Sequence, residues 1–302
     1  MDIAIVGNGP AGWSCAMTAR MRGLSAAVIA PAETGGWLGG AERIDNYPGL
    51  PQIPGKELLE RFRQQALALG AEEKNALVRQ IMPSGDRFLL LAENDVLEAR
   101  AVVLCMGAAR PVLLPGEEEL LGGGVSYCAT CDGMLYRGKT VVVVGGGNSA
   151  AEDALFLSRV CKKVYLVHRG AVLTASKSYW TALQKAENVE FIWNSRVVEL
   201  LYGSVVTGVV LEGVESGNRS ELACDGVFIA VGRIPNTGLF HGVLEMDAAG
   251  YLIADETTRT ALPGVFAVGD VRTKPLRQII TAAADGAVAS KYAEAYLAEQ
   301  ED

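Results

Sequence analysis

Histidine and cysteine are scarce in this chain, two and six in 302 residues, and that scarcity removes several site types at once. A secreted disulfide scaffold needs a far higher cysteine density, and the cysteines here offer one short spacing, Cys128-Ala129-Thr130-Cys131. A structural zinc site wants four ligands, and no second close Cys or His pair accompanies this one, so no metal site is expected. Positive charge is also short. Lys and Arg total 27 against 35 Asp and Glu, a net charge of −8, which leaves no basic face to draw nucleic acid or anionic lipid by charge alone. Long apolar runs are missing as well. The segment from Ile3 to Ala19 mimics a secretory signal, but Asp2 stands where a basic region belongs and Gly7-Asn8-Gly9-Pro10 interrupts it. No other run approaches the ~20 residues needed to cross a bilayer, so a cytoplasmic protein away from membranes is expected.

What the chain does have is apolar mass and glycine. Half of it is hydrophobic and 21% is charged, which excludes disorder and coiled coil. Its length favours two domains over one. The 35 glycines against 11 prolines fit tight strand-to-helix turns better than low-complexity linkers.

Ile3-Ala4-Ile5-Val6 is an apolar run without helical period. Gly7-x-Gly9-x-x-Gly12, an alanine-rich segment ending near Gly23, and Ala26-Ala27-Val28-Ile29 follow it. Strand, glycine turn, helix and strand predict a βαβ unit. The pattern returns at Val141 to Val144, Gly145-x-Gly147-x-x-Ala150, a helix through Arg159, and Val164 to Val167. The expected fold class is therefore α/β, with two Rossmann-like dinucleotide-binding domains. Two further strand-like runs end in glycine, at Gly107 and Gly232, where backbone passes close to something. The tail predicts a last strand over Val265–Val268, Gly269-Asp270, and a long helix from about Gln278 to Leu297 that completes one sheet, the first being the better candidate.

A helix N-terminus gathers unpaired N–H groups and the positive end of the helix dipole, which suits a pyrophosphate. Glycine at the first two fingerprint positions allows the turn and the approach of phosphate, and a small third residue lets the helix pack on its strand. Gly7, Gly9, Gly12 and Gly145, Gly147, Ala150 meet these needs. A carboxylate at the end of the second strand normally holds a ribose hydroxyl. Glu33 stands a few residues late for that role, and the corresponding place in the second unit reads His168-Arg169. His168 is either a nucleotide contact or an ordinary strand-end histidine, and Arg169 either a phosphate contact or a solvated cation.

Cys128 and Cys131 have the spacing of a redox pair, in which a helix start favours the thiolate and speeds exchange. Asp132 has two readings, a helix cap or the proton donor to a leaving thiolate. Cys15, Cys105, Cys161 and Cys224 read as small buried hydrophobes.

These motifs resemble the low-molecular-weight thioredoxin reductases, a family of flavin disulfide reductases. The matching pieces are Gly7-Asn8-Gly9-Pro10-Ala11-Gly12, Gly35-Gly36-Trp37-Leu38, Asn46-Tyr47-Pro48-Gly49, Cys128 to Gly133, Gly145 to Glu152 with Asn148, Val231 to Thr237, and Gly264 to Gln278 with Ile279 beyond. The resemblance implies a homodimer whose discontinuous first domain, 1–113 and 246–302, holds FAD, and whose inserted domain, 114–245, carries the cysteine pair on an NAD(P)-binding fold. It places Gly269, Asp270, Arg277, Gln278 and Ile279 along the FAD, with Gly36, Leu38, Asn46 and Gly107 also beside it, and Cys131 as the sulfur nearer the flavin. Trp37 stands where the family commonly has glutamine, and its indole either stacks near the flavin or packs under the loop. Electrons would pass through FAD to a Cys128–Cys131 disulfide and on to a thioredoxin-like protein, with Asp132 managing the proton and a domain rotation between the two half-reactions.

One departure bears on the electron donor. NADPH enzymes of the family read His-Arg-Arg-x-x-x-Arg after the second strand, whereas this chain reads His168-Arg169-Gly170-Ala171-Val172-Leu173-Thr174. Each lost charge-assisted contact to a 2′-phosphate costs about 1.5–3 kcal/mol. The donor is thus NADH, weakly bound NADPH, or ferredoxin, the last because the region around Cys128 is also similar to ferredoxin-dependent flavin thioredoxin reductases. Two rival readings keep the scaffold and change its activity. One is a flavin-dependent ferredoxin–NAD(P) oxidoreductase, and the other is a non-enzymatic FAD-binding redox sensor.

Overall fold

The computed structural model of the chain describes residues 1–302 apart from 33–35, 42, 94 and 302. The sequence-based contact at Glu33 and the side chain of Trp37 lie outside the described residues. The chain divides into two compact units, one of residues 1–41, 47–109 and 234–302, the other of 42–46 and 110–233. Six α-helices are described: α1 Pro10–Met21, α2 Gly55–Ala68, α3 Ala129–Asp132, α4 Asn148–Ser158, α5 Lys177–Leu183 and α6 Ile279–Glu299. None is long and apolar enough to cross a membrane.

The first unit is built on a parallel sheet in the order Val265–Ala267, Ala101–Leu104, Ile3–Val6, Ala26–Ala30, Glu72–Asn75. Its central strands are buried along their whole length, which is why they read as unbroken apolar runs and not as alternating ones. Each fully buried Ile or Val contributes about 1.5–3 kcal/mol of transfer free energy. The strand expected from the tail does join this sheet, pairing Val265 with Val102. The second unit repeats the plan with Val189–Ile192, Lys163–Val167, Thr140–Val144, Gly226–Ile229 and Val125–Ser126, again all parallel. Each unit also carries a three-stranded antiparallel meander, Val78–Ser84, Arg87–Ala92, Asp95–Ala99 in the first and Ser195–Tyr202, Val206–Gly213, Arg219–Ala223 in the second.

The alanine-rich composition of α6 has a packing cause. Gly286 lies so close to the Ala11 carbonyl of α1 that a Cβ there would overlap it, and Ser14 Oγ donates to the Ala283 carbonyl at 2.7 Å. Small residues let the two helices approach at backbone distance, so α6 presses directly on the helix that follows the first glycine turn.

A buried ionic cluster fixes the other side of that turn. The Arg272 guanidinium grips Asp285 with Nε to Oδ2 at 2.9 Å and an Nη to Oδ1 at 2.8 Å, and Lys274 Nζ reaches Oδ2 at 2.8 Å. The same carboxylate accepts the Gly269 N–H at 2.8 Å, so the Gly269-Asp270 turn is held by a residue in the second turn of α6. Burial alone would raise the Asp285 pKa, but the bonds from Arg272 and Lys274 outweigh it and hold it below the usual carboxylate value of 3.8. Stability from this group is therefore complete above the unfolded pKa and fades as pH falls through the lower folded one. Asp285→Asn, which strands two cations in the interior, is expected to cost about 3–5 kcal/mol in urea unfolding at pH 7. The difference from the parent protein should shrink at acidic pH, and an equal loss at pH 7 and pH 2.5 would contradict this account.

Candidate functional site

Both glycine turns have the geometry that the fingerprint requires. Gly7 has φ of +118° and Gly145 has φ of +149°, and a Cβ at either would strike a neighbouring carbonyl, of Cys105 or of Ala230. Only glycine serves there. Gly12 sits against the Gly7 carbonyl and Ala150 is wholly buried, so the third position packs helix on strand in each unit. Gly9 and Gly147 are the N-cap residues of α1 and α4, and neither helix has a side chain capping its start or an acid in its first turn. Nothing stands within 4 Å of where a Gly9 Cβ would be. The first-turn N–H groups there have no partner within the helix, and Pro10 at the first helical position gives up none it needed. This cradle suits the pyrophosphate of FAD.

The other residues of this unit that the family resemblance places beside FAD fall in several separate segments. Gly36, Trp37 and Leu38 lie in the 3₁₀ turn Gly36–Gly40, with Leu38 buried. Gly107 has φ of +65° just past the strand Ala101–Leu104, and its carbonyl accepts the Asn236 N–H at 3.1 Å. Gly269 opens the 3₁₀ turn Gly269–Val271, which contains Asp270. Arg277 lies over the Tyr251 ring at 3.9 Å, and its buried Nε has no hydrogen-bond partner among the described residues. Gln278 caps α6 through a reciprocal box with Thr281, directly before Ile279.

In the second unit the loop after the strand Lys163–Val167 folds back over the glycine turn. The Gly146 carbonyl accepts the Thr174 N–H at 2.8 Å, the Thr174 hydroxyl at 3.1 Å and the Ala175 N–H at 3.1 Å. Asn148 Oδ1 accepts the Ser176 N–H at 2.8 Å, a role that its place in the motif did not reveal. The His168 ring lies directly beside Gly146, leaving no room for a side chain there, and Arg169 is exposed. Burial lowers the His168 pKa below its usual 6.5, opposed by a hydrogen bond to the Val172 backbone and supported by the Arg169 charge.

The cysteine pair forms a disulfide, S–S 2.09 Å with Cα atoms 5.2 Å apart. It sits at a helix start: Cys128 is the N-cap of α3 and Cys131 lies inside it. Both cysteines are half-buried, while Cys15, Cys105, Cys161 and Cys224 are buried free thiols. The Cys128 carbonyl accepts the N–H groups of Cys131 and Asp132, each at 3.1 Å, closing a tight loop. Asn46 Nδ2 donates to Cys131 Sγ at 3.4 Å, and the segment 42–46 groups with the unit that carries the pair.

Asp132 does not cap its helix. Its carboxylate accepts the Ser126 hydroxyl at 2.6 Å, and Ser126 Oγ in turn accepts the Cys128 N–H at 3.0 Å. Ser126 ends the edge strand Val125–Ser126, so the sheet itself anchors the acid and the first cysteine. Burial raises the Asp132 pKa above 3.8, opposed by the Ser126 bond and supported by the Asp45 charge. A carboxyl whose pKa is raised next to a disulfide holds a proton more readily than an ordinary one, which suits it to supply that proton when the sulfurs separate. Sequence reasoning missed Ser126, whose only local signal was a hydroxyl two residues ahead of the cysteine. It also missed Glu117, a wholly buried carboxylate that accepts the Tyr127 hydroxyl at 2.6 Å and the N–H groups of Leu113 and Leu114 at 3.1 and 2.8 Å.

These features define a class: an oxidoreductase with two dinucleotide-binding units and a disulfide at a helix start. The chain belongs to the pyridine nucleotide-disulphide oxidoreductase family, which it matches over residues 1–286. It is 41% identical over 303 residues to the thioredoxin reductase of Mycolicibacterium smegmatis, covering 99% of this chain and 97% of that protein. The solved thioredoxin reductase of Streptococcus pyogenes MGAS5005 superposes with a TM-score of 0.93 at 40% identity, covering 99% and 98% of the two chains. A solved ferredoxin-flavin thioredoxin reductase of Clostridium acetobutylicum matches at 32% identity with a TM-score of 0.55, covering 99% and 98%.

Two outcomes follow from the site. Removing the Ser126 hydroxyl takes away the bond that favours the charged acid, so Ser126→Ala should raise the Asp132 pKa further, seen as an upward shift in its carboxyl carbon titration by NMR. An unchanged or lowered midpoint would contradict the assigned bond. Asp153 on α4 has its pKa pushed up to about 7, by burial first and then by the Glu152 charge. Its ionisation therefore destabilises the fold progressively as pH rises from about 4 to about 7. Asp153→Asn should raise the melting temperature at pH 8 and leave it unchanged near pH 3.5.

Proposed function

We propose that this chain is an FAD-dependent disulfide reductase of the thioredoxin reductase type, acting as a cytoplasmic homodimer on the disulfide of a thioredoxin-like protein. The observation that carries the reading is the Cys128–Cys131 disulfide, with Asp132 hydrogen-bonded through Ser126 to the strand that holds it. FAD, when bound, supplies the two electrons that it has taken from the donor. In this reading the first glycine turn at Gly7, Gly9, Pro10, Ala11 and Gly12 binds its pyrophosphate. Gly36, Trp37, Leu38, Asn46, Gly107, Gly269, Asp270, Arg277, Gln278 and Ile279 are its further contacts, and the late carboxylate Glu33 serves the ribose.

The protein's own residues manage sulfur and proton. The Cys128–Cys131 bond breaks as two electrons enter, and Asp132 gives its proton to one sulfur while the other, favoured by the start of α3, remains a thiolate. A thiolate then attacks the partner disulfide, releasing one partner sulfur as a thiolate while a mixed disulfide forms; the second cysteine gives up its proton as its sulfur attacks, the original bond re-forms, and the partner leaves as a dithiol holding that proton and one from solvent. Asp132 regains a proton from solvent.

The second glycine turn, at Gly145, Gly147, Asn148 and Ala150, binds the donor nucleotide, with His168 and Arg169 at its far end. We favour NADH. The turn is intact, whereas a 2′-phosphate would find Arg169 as the only cation between residues 168 and 176. Ferredoxin is the second reading, favoured by the likeness to the Clostridium acetobutylicum enzyme.

Two measurements test this. Cys128→Ser and Cys131→Ser should each abolish reduction of a thioredoxin disulfide while leaving the flavin reducible; turnover by the double variant would end the disulfide mechanism and favour the ferredoxin–NAD(P) or sensor readings. Anaerobic bleaching of the flavin at matched concentrations of NADH, NADPH and reduced ferredoxin identifies the donor, and bleaching by micromolar NADPH would overturn the preference stated here.

A further inference from the structure

The second unit carries an aromatic cluster that the sulfur chemistry does not use. Trp180 on α5 stands 5.1 Å from Phe191 and 5.7 Å from Trp193 between ring centres. Phe191 and Trp193 are stacked, 5.0 Å apart with 3° between their planes. His168 meets Trp193 edge-on at 6.3 Å.

The cluster's place is more telling than its composition. Val167 pairs with Ile192 across the parallel sheet, so His168 and Trp193 are the next residues past the ends of adjacent strands. That is the carboxyl edge of the sheet, where open α/β sheets take their ligands, and the edge that also bears the Gly145–Gly147 turn. His168 links the two, since its ring lies beside Gly146 and also faces Trp193. Phe191 packs against the unit's core, but Trp180 and Trp193 stand outside its core clusters and are half-buried. Two indoles kept partly in solvent at a ligand edge offer a flat, uncharged recognition surface.

We infer that Trp193, with Trp180 and the ring of His168, is a stacking shelf for the purine of an adenine dinucleotide that lacks a 2′-phosphate. This rests on reading the second unit as the donor site. Recognition through the ring replaces recognition through charge: a base offers a π-face to an aromatic side chain whatever the sugar carries. The phosphates then fall to the glycine turn, and Arg169 is left on the exposed side of the strand end.

The test titrates 5′-AMP and 2′,5′-ADP into the intact protein and its Trp193→Leu, Trp193→Phe and Trp180→Leu variants by calorimetry, beside flavin bleaching with NADH. Circular dichroism and flavin content report whether each variant folds. Trp193→Leu should weaken 5′-AMP about tenfold and raise the NADH concentration for half-bleaching by a similar factor, as expected for the loss of one base–aromatic stack. Trp193→Phe, which keeps a ring, should stay within about twofold of the parent, so the test remains readable if the leucine variant does not fold. Tighter binding of 2′,5′-ADP than of 5′-AMP by the parent protein would overturn the proposal. Unchanged 5′-AMP affinity in Trp193→Leu, with NADH still bleaching the flavin, would overturn the shelf while sparing the donor reading. Failure of the parent protein to bind either nucleotide would remove both.

Discussion

Two backbone passages too tight for any side chain, at Gly7 and Gly145, govern the rest of this protein. Each lies where a buried parallel strand must turn directly into a helix, with a neighbouring strand's carbonyl pressed against the turn. Because the turn is that short, the helix start arrives at the carboxyl edge of the sheet with its N–H groups unpaired and no acidic side chain in its first turn. A favourable place for phosphate is thus a by-product of the shortest route from strand to helix. Everything that stiffens the turns serves the same end: the backbone-distance contact of α6 with α1, the Asp285 clamp on Gly269, and the loop of Thr174 and Ala175 on Gly146.

The disulfide depends on a different arrangement, one of proximity to a sheet edge. The four residues of α3 are too few to hold a geometry by themselves. They are held because Ser126 ends a strand and reaches both Asp132 and the Cys128 N–H. The buried Glu117 carboxylate ties the incoming segment at Leu113 and Leu114 to Tyr127, the residue between that serine and the first cysteine. Attachment to a sheet edge through Ser126 thus fixes the place of an acid of raised pKa next to the disulfide.

The two units show how a duplicated plan diverges. In the first, the glycine-turn helix packs along an alanine-rich partner, which an ionic cluster ties to the Gly269 turn. In the second, the corresponding edge is finished by a short helix and by indoles that remain half-exposed. Shared backbone constraints preserve the turns, while the side chains around them differ.

Much was legible along the chain, and the reason is locality. Buried parallel strands are continuous apolar runs, a fingerprint spans six residues, and a redox pair spans four, so Ile3–Val6, Thr140–Val144, both glycine turns and the Cys128–Cys131 loop all announce themselves within a short window. The parallel strand contributed by the tail was foreseen on the same basis. The two antiparallel meanders were not, because their outer strands are largely exposed and carry little apolar pattern. Ser126 at Asp132, Asp285 at Gly269, Glu117 at Tyr127 and Trp180 at Trp193 became visible only when the chain had folded. Sequence alone determined which backbone turns exist, since only glycine survives there; the tertiary structure decided which charges and rings meet across them, since pairing between residues distant along the chain leaves no local trace.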